Sequence, residues 1–83
     1  MAKYFNARAL GHIFVFKYEE DSPELLHIYA RHQMEPEDAI EIFFEGTVAS
    51  NTERRRFESN YQGRTMTWFW LDETMKVVMV ISC

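Results

Sequence analysis

Residues 31–46 read RHQMEPEDAIEIFFEG, and this stretch predicts a helix and the corner before it. Pro36 fits the first position of a helix, where its missing N–H is tolerated, and Glu37 and Asp38 complement the helix dipole. Apolar residues then follow at helical spacing, and Gly46 ends the segment. The predicted apolar stripe consists of Ile40, Phe43 and Phe44. We therefore predict a short amphipathic helix that starts near Glu35.

A second helix is predicted immediately before this one. The sequence Ser22-Pro23-Glu24 combines a capping side chain, a tolerated first-turn proline and an acidic first turn. The apolar face that follows consists of Leu25, Ile28, Tyr29 and His32. We expect this helix to end near residues 31–33, so a corner with Arg31, His32 and Gln33 joins the two helices.

The residues outside the helices follow strand patterns. The predicted strands are His12–Tyr18, a region from Thr47–Asn51 to Arg54–Tyr61, Arg64–Asp72 after a Gln62-Gly63 turn, and Lys76–Ser82. The region 47–61 is either one long strand with an interruption or a strand after a loop. The last run is almost wholly apolar, which is typical of a strand in the middle of a sheet. The resulting order, β-α-α-β-β-β, predicts an α+β domain with two short helices on one face of a mainly antiparallel sheet. Residues 1–11 are not assigned to an element.

The strand RTMTWFWLD is apolar on both sides, because Met66, Trp68 and Trp70 alternate with Phe69 and Leu71. Two helices on one face leave the other face in need of a cover. A homodimer or a bound protein partner would supply it, and we assign Met66, Trp68 and Trp70 to partner binding. The alternative is that the N-terminal segment, which contains Tyr4, Phe5 and Leu10, folds across this face.

Composition limits the class of protein. A chain of 83 residues supports one domain, and its 47% hydrophobic and 16% aromatic content excludes a disordered chain. No apolar run reaches the roughly 20 residues of a membrane span, and no secretory signal is evident. The only cysteine is Cys83, so we expect a reducing, cytoplasmic compartment. The net charge of −4 argues against general nucleic-acid binding, although a local arginine cluster suits one RNA segment.

Three stretches resemble BrnT-family toxins. HIYARHQMEPEDAIEIFFEG is similar to the helix-corner-helix of that family, YQGRTMTWFWLDETMKVVMVIS to its Gly-Arg strand and final strand, and FVFKYEED to its first strand and acidic turn. The resemblance covers residues 12–83. It implies a RelE-like fold, a cytoplasmic ribonuclease that blocks translation, and a DNA-binding antitoxin of ribbon-helix-helix type as partner. Gln33 stands where the family has Gly, and the family's terminal Ala-Arg is absent after Ser82.

Metal-independent RNA cleavage needs proton-transfer groups and cations around the phosphate. We predict a catalytic set made of His32, Glu53, Arg55, Tyr61 and Arg64, with Glu58 as a further proton-transfer candidate. The predicted RNA-binding cations are Arg31, Arg54 and Arg56. The alternatives are that His32 packs at a helix end and that residues 54–56 form a solvated edge. No metal-ligand spacing or phosphate loop is present, so we expect no cofactor.

The sequence is compatible with three functions. The first is the BrnT-like ribonuclease toxin. The second is a non-catalytic acidic binding protein, in which Glu37, Asp38 and Glu41 bind a basic nucleic-acid-binding protein, as a phage-borne inhibitor of the anti-CRISPR kind would. The third is a homodimeric interaction module.

Overall fold

The computed structural model describes residues 4–21, 24–51 and 55–82. In chain order the elements are β1 (Tyr4–Ala9), β2 (His12–Lys17), α1 (His27–His32), α2 (Pro36–Glu45), β3 (Thr47–Asn51), β4 (Arg56–Tyr61), β5 (Arg64–Asp72) and β6 (Val77–Ser82). Neither helix in these ranges has the length and apolar run needed to cross a bilayer.

All six strands form one sheet, in the order β1-β2-β6-β5-β4-β3. Neighbouring strands are antiparallel except β2 and β6, which run parallel. The predicted α+β class and the mainly antiparallel sheet are confirmed. The element order contains two strands more than predicted, because the N-terminal segment forms β1 and residues 47–61 supply two antiparallel strands, β3 and β4.

The N-terminal segment forms an edge of the sheet. β1 pairs with β2 through a turn at Leu10 and Gly11, both with positive φ. The Phe5 ring lies 6.3 Å from the Phe16 ring on the helix side, and Leu10 is 80% exposed. The expectation that Tyr4, Phe5 and Leu10 cover the second face is therefore wrong, because the hydrogen-bonded ladder holds β1 in the plane of the sheet.

Helix α1 starts later than predicted, at His27. Leu26 precedes it in an extended conformation and forms an isolated antiparallel bridge with Tyr18, so this part of the backbone is paired before the helix begins. The predicted start at Ser22-Pro23 lies outside the described residues. The predicted end, near His32, is confirmed.

Gln33 closes α1 in the left-handed conformation, with φ 56° and ψ 35°. Its N–H donates to the carbonyl of Tyr29 at 2.8 Å, and the N–H of Met34 donates to that of Ile28 at 3.2 Å. This arrangement is typical of a helix end with glycine. The corner therefore keeps the left-handed geometry that glycine favours, although the sequence has Gln33 there. A non-glycine residue in this conformation costs about 1 kcal/mol.

Helix α2 spans Pro36–Glu45, as predicted. The Asp38 carboxylate accepts the backbone N–H of Glu35 at 2.9 Å, which satisfies a free donor before the first turn. Gly46 ends the helix with φ −84°, so it is not needed for a left-handed conformation. An added Cβ would lie 2.6 Å from the carbonyl oxygens of Asn60 and Ile42. Glycine is required because the end of the helix approaches β4 closely.

The core lies between the helices and one face of the sheet. Its buried members are Phe14, Phe16, Ile28, Ala39, Ile42, Met66, Trp68, Val78 and Val80. The predicted stripe residues Ile40, Phe43 and Phe44 pack around them.

The burial of Met66, Trp68 and Trp70 corrects their assignment to partner binding. Met66 and Trp68 are 0% and 3% exposed, and Trp70 is half-buried on the same side, because alternation along β5 directs all three towards the helices.

Candidate functional site

Side chains from α2 and from the β4–β5 hairpin meet at one edge of the helix layer. The 62–63 turn has positive φ at both positions and sets Tyr61 opposite Arg64. The Arg64 guanidinium donates to Asp38 Oδ1 at 3.3 Å and to Glu41 Oε1 at 2.6 Å. The sequence assigned Tyr61 and Arg64 to RNA cleavage and the two carboxylates to a partner. The fold brings all four side chains into one cluster.

This cluster is acidic although Arg64 is at its centre. One guanidinium faces two carboxylates, and Glu37 is exposed on the same helix. The hydrogen bond that Arg64 donates to Glu41 is the main reason that the pKa of Arg64 is raised, so the side chain stays charged. A phosphate would have to displace both carboxylates before it could bind Arg64.

Arg31 is also paired. Its Nε donates to Glu19 Oε2 at 2.9 Å, and His27 Nδ1 lies 3.2 Å from the same oxygen. The hydrogen bond from Arg31 is the main cause of a lowered pKa at Glu19. These contacts tie α1 to the segment that follows β2. Arg31 therefore has a structural partner and is not a free phosphate ligand.

His32 is exposed at the last position of α1. No hydrogen bond or ion pair joins it to another described residue. The alternative that His32 packs on the apolar face at the helix end is therefore wrong. The structure does not bring it into the cluster around Arg64.

The predicted cations Arg55 and Arg56 lie at the other end of β4. Glu53 and Arg54 are outside the described residues. Arg55 occupies the turn before the strand with φ 55°, and Arg56 is its exposed first residue. A strand rises about 3.3 Å per residue, so Arg56 lies about 17 Å from Tyr61 along β4. Of the described members of the predicted catalytic set, Tyr61 and Arg64 lie together, whereas Arg55 and His32 lie apart from them.

The sheet face opposite the helices has an apolar centre, and no described helix or strand lies over it. We name this surface the bare face and define it by Ile13, Val15, Phe69, Leu71, Val77 and Met79. Its middle row joins Val15, Met79 and Phe69, which are register neighbours on β2, β6 and β5. Val15 is 9% exposed yet lies outside the core cluster, and Leu71 is 52% exposed.

Cations flank the bare face. Alternation places Arg8, Lys17 and Arg56 on this side of the sheet together with Glu58, because their strand neighbours Ala7, Phe16 and Phe57 pack on the core. Asp72 adds a second carboxylate, because it pairs with Val77 of the bare face. Lys17 lies 3.5 Å from Glu20. Nine of the 13 carboxylates of the chain fall between Glu19 and Glu45, the segment that contains both helices. The helix side is therefore acidic, whereas the bare side carries both cations and carboxylates.

The sequence identified part of this surface. Phe69 and Leu71 were recognised as a second apolar side of β5, and the apolar run of β6 predicted contacts on both faces. Val15 was missed, although apolar residues occur on both sides of HIFVFKY. The position of Arg8 on this face was not predictable from the sequence, because it depends on the register of β1 with β2.

Comparison of the chain with protein-family models, with curated proteins and with solved structures finds no match.

Proposed function

We propose that this protein is a cytoplasmic, non-catalytic binding module that holds a protein partner against the bare face. The observation that carries the proposal is the middle row of Val15, Met79 and Phe69, which no described element covers. Burial of apolar surface contributes about 25 cal/mol per Å². An uncovered apolar sheet face is therefore a source of binding free energy that folding of the chain does not use.

The placement of the charged residues also supports binding over catalysis. Arg31 and Arg64 donate to carboxylates, and Arg55 and Arg56 lie at the far end of β4 from Tyr61. General acid–base chemistry needs its groups within hydrogen-bond reach of one reacting centre. The described candidates do not converge in this way.

Site-specific photo-crosslinking tests this proposal. A photoreactive residue at Leu71, on the bare face, should form one discrete adduct with a protein in cells that express the chain from its own gene. Tyr29 is the matched control, since it lies on the helix layer with 43% exposure against 52% for Leu71. Equal adducts at both positions, or none at Leu71, would overturn the proposal.

A BrnT-like ribonuclease toxin with a RelE-like fold is the second candidate function. The contact that favours it is between Tyr61 and Arg64, whose Cζ lies 6.0 Å from the phenol ring. In this proposal an RNA phosphate displaces Asp38 and Glu41 from the guanidinium, and Tyr61 serves proton transfer. A ribbon-helix-helix antitoxin would then be the protein partner.

RNA cleavage with a metal chelator present, together with cell-free translation, tests the second candidate. Arg64→Ala should abolish both effects. Glu41→Gln should keep or increase them, because it removes a competitor for the guanidinium. Circular dichroism checks that both variants fold. Absence of cleavage by the unaltered chain, or equal cleavage by Arg64→Ala, would remove this candidate.

A further inference from the structure

We propose that the occupant of the bare face is a second copy of this chain, packed face to face about a two-fold axis that runs along β6. This inference rests on the proposed function, because it names the protein that the bare face binds. It follows from the distribution of charge across the face, from the register of the sheet and from the contacts that each symmetric arrangement would make.

Charge on the bare face is divided between its two margins. Arg8 on β1 and Lys17 on β2 lie on one side of β6. Asp72 on β5 and Glu58 on β4 lie on the other side, where Arg56 adds one cation. A surface with cations at one margin and carboxylates at the other complements its own image after a two-fold rotation that exchanges the margins.

The register of the sheet places each of the two cations in line with a carboxylate. Arg8 and Asp72 lie at opposite ends of one row, which runs through Ile13 and Val77. Lys17 and Glu58 end a second row. Each of them is the next residue in the chain after a member of the paired row Phe16, Val80, Trp68 and Phe57. Within one copy each cation is three strands, about 14 Å, from its carboxylate, and none of the ion pairs in the structure joins them.

A two-fold axis along β6 brings these row ends together. The rotation keeps each row in place and exchanges its ends, so β2 of one copy lies over β5 of the other. Arg8 then lies one strand, about 4.8 Å, from the position opposite Asp72 of the second copy, and Lys17 lies equally close to the position opposite Glu58. The two side chains of each pair together span this offset and the about 10 Å between packed sheets. The exposed Lys17–Glu20 pair, at 3.5 Å, contributes little and leaves Lys17 able to turn towards the second copy.

The same rotation sets apolar residues against apolar residues. Met79 lies on the axis and meets Met79 of the second copy. Val15 meets Phe69 in the middle row, and Ile13 meets Leu71 in the next row. Side chains of two packed sheets interdigitate in this way. The apolar centre of each copy is therefore covered, and the charged margins stay at the rim of the interface.

Arg56 is the remaining charged side chain of the face. The rotation places it over Asn6, because Asn6 pairs with Val15 in the middle row and Arg56 precedes Phe57, the partner of Trp68. This position is at the margin of both copies, so the guanidinium keeps its contact with water and needs no carboxylate.

The other aligned arrangement of two bare faces is disfavoured by the same residues. A two-fold axis perpendicular to the strands leaves each strand over itself and exchanges the rows. Lys17 would then lie over Ile13 and beside Arg8 of the second copy, and Asp72 would lie beside Glu58. Opposed like charges and an ammonium group pressed onto apolar side chains both cost binding free energy. The charges therefore select one of the two dimers.

Analytical ultracentrifugation of the full chain tests whether the bare face joins two copies. We expect a reversible monomer–dimer equilibrium at micromolar concentration. Phe69→Ser should raise the dimer Kd about tenfold or more, whereas Tyr29→Ser on the helix layer should leave it unchanged. Circular dichroism checks the fold of both variants. Leu71→Ser, at a position with 52% exposure, repeats the test if Phe69→Ser does not fold.

Exchange of one charged pair identifies the arrangement of the two copies. Lys17→Glu and Glu58→Lys should each raise the dimer Kd about tenfold at low salt, because each opposes like charges at two symmetric positions. Lys17→Glu combined with Glu58→Lys should restore the Kd of the unaltered chain. The two residues are about 14 Å apart within one copy, so the recovery arises between copies. Lys17→Glu combined with Glu37→Lys is the control, since it has the same net charge and changes an exposed residue of α2, and it should bring no recovery.

Several results would overturn the inference. These are a monomer at every concentration measured, a dimer that a folded Phe69→Ser variant leaves unchanged, or a charge exchange that binds no more tightly than the single variants. A Leu71 adduct in cells with the mass of two copies supports it. If the chain is a monomer while Leu71 crosslinks to a different protein, the second-copy inference fails and the proposed function stands. If Leu71 gives no adduct with any protein, the proposed function fails with it.

Discussion

The two faces of the sheet are built from the same strands and differ in what lies over them. On the covered face Phe14, Met66 and Val78 are completely buried under α1 and α2. On the bare face Leu71 keeps 52% of its surface exposed, whereas Val15 keeps only 9%. Apolar residues on the first face stabilise the fold, and those on the second are available for association. Alternation along each strand assigns a residue to one role or the other.

The largest difference should be between two methionines on opposite faces. Met66→Ala leaves a cavity in the covered core and should lower the free energy of unfolding by about 2–5 kcal/mol. Met79→Ala on the bare face creates no enclosed cavity and should cost less than about 1 kcal/mol. Urea denaturation measures both. Equal losses would show that the two faces are equally important for stability.

A smaller difference is expected for two hydroxyl groups. The buried Ser59 Oγ accepts the indole N–H of Trp68 at 2.9 Å. Ser59→Ala leaves this buried N–H without an acceptor and should lower the free energy of unfolding by about 1–3 kcal/mol. Thr65 Oγ1 bonds Asn60 Oδ1 at 2.6 Å in an exposed position. Thr65→Ala should change stability by no more than about 0.5 kcal/mol. Thermal unfolding measures the midpoint of each variant. A lower midpoint for Thr65→Ala than for Ser59→Ala would contradict this prediction.

The helix layer carries a local strain that one substitution should relieve. Gln33 has φ 56°, and Gln33→Gly should stabilise the chain by about 0.5–1 kcal/mol, the left-handed cost less the entropy that glycine adds to the unfolded chain. Gln33→Ala is the control and should bring no gain, since it keeps a Cβ at this position. Chemical denaturation that finds Gln33→Gly less stable than the unaltered chain would mean that the Gln side chain itself stabilises the corner.

The smallest expected effect is the pH dependence of the Glu19–Arg31 pair. The pKa of Glu19 lies below its ordinary value of 4.5 because Arg31 donates to the carboxylate. The unfolded chain therefore binds the proton more readily, and the stabilisation is present above pH 4.5 and lost as the pH falls through the lower folded value. Glu19→Gln should flatten the acid side of the stability curve. Arg31→Gln should flatten it less, because the backbone N–H of Glu20 and the His27 ring still favour the charged carboxylate, and the double variant should behave like Glu19→Gln.

Sequence reasoning recovered most of the elements but not the functional surfaces. The bounds of α2 and the β4–β5 turn were predicted because Pro36, the acidic first turn and Gln62-Gly63 act within a few residues of chain. The reason for Gly46 was not predictable, since it lies in the approach of α2 to Asn60, a residue distant in sequence. Met66 and Trp68 were assigned to a partner because a strand with two apolar sides does not reveal which side the helices will cover.

The sequence by itself determined α2, the end of α1, four of the strand regions, the apolar character of both sides of β5 and the division of charge along the chain. These properties depend on local spacing and composition. The tertiary structure decided that Arg64 is held by Asp38 and Glu41, that β1 forms an edge, and that Arg8, Lys17 and Arg56 flank one apolar face. These properties depend on strand register and on the side to which the helices fold, and a shift of one residue in register would move every side chain to the opposite face.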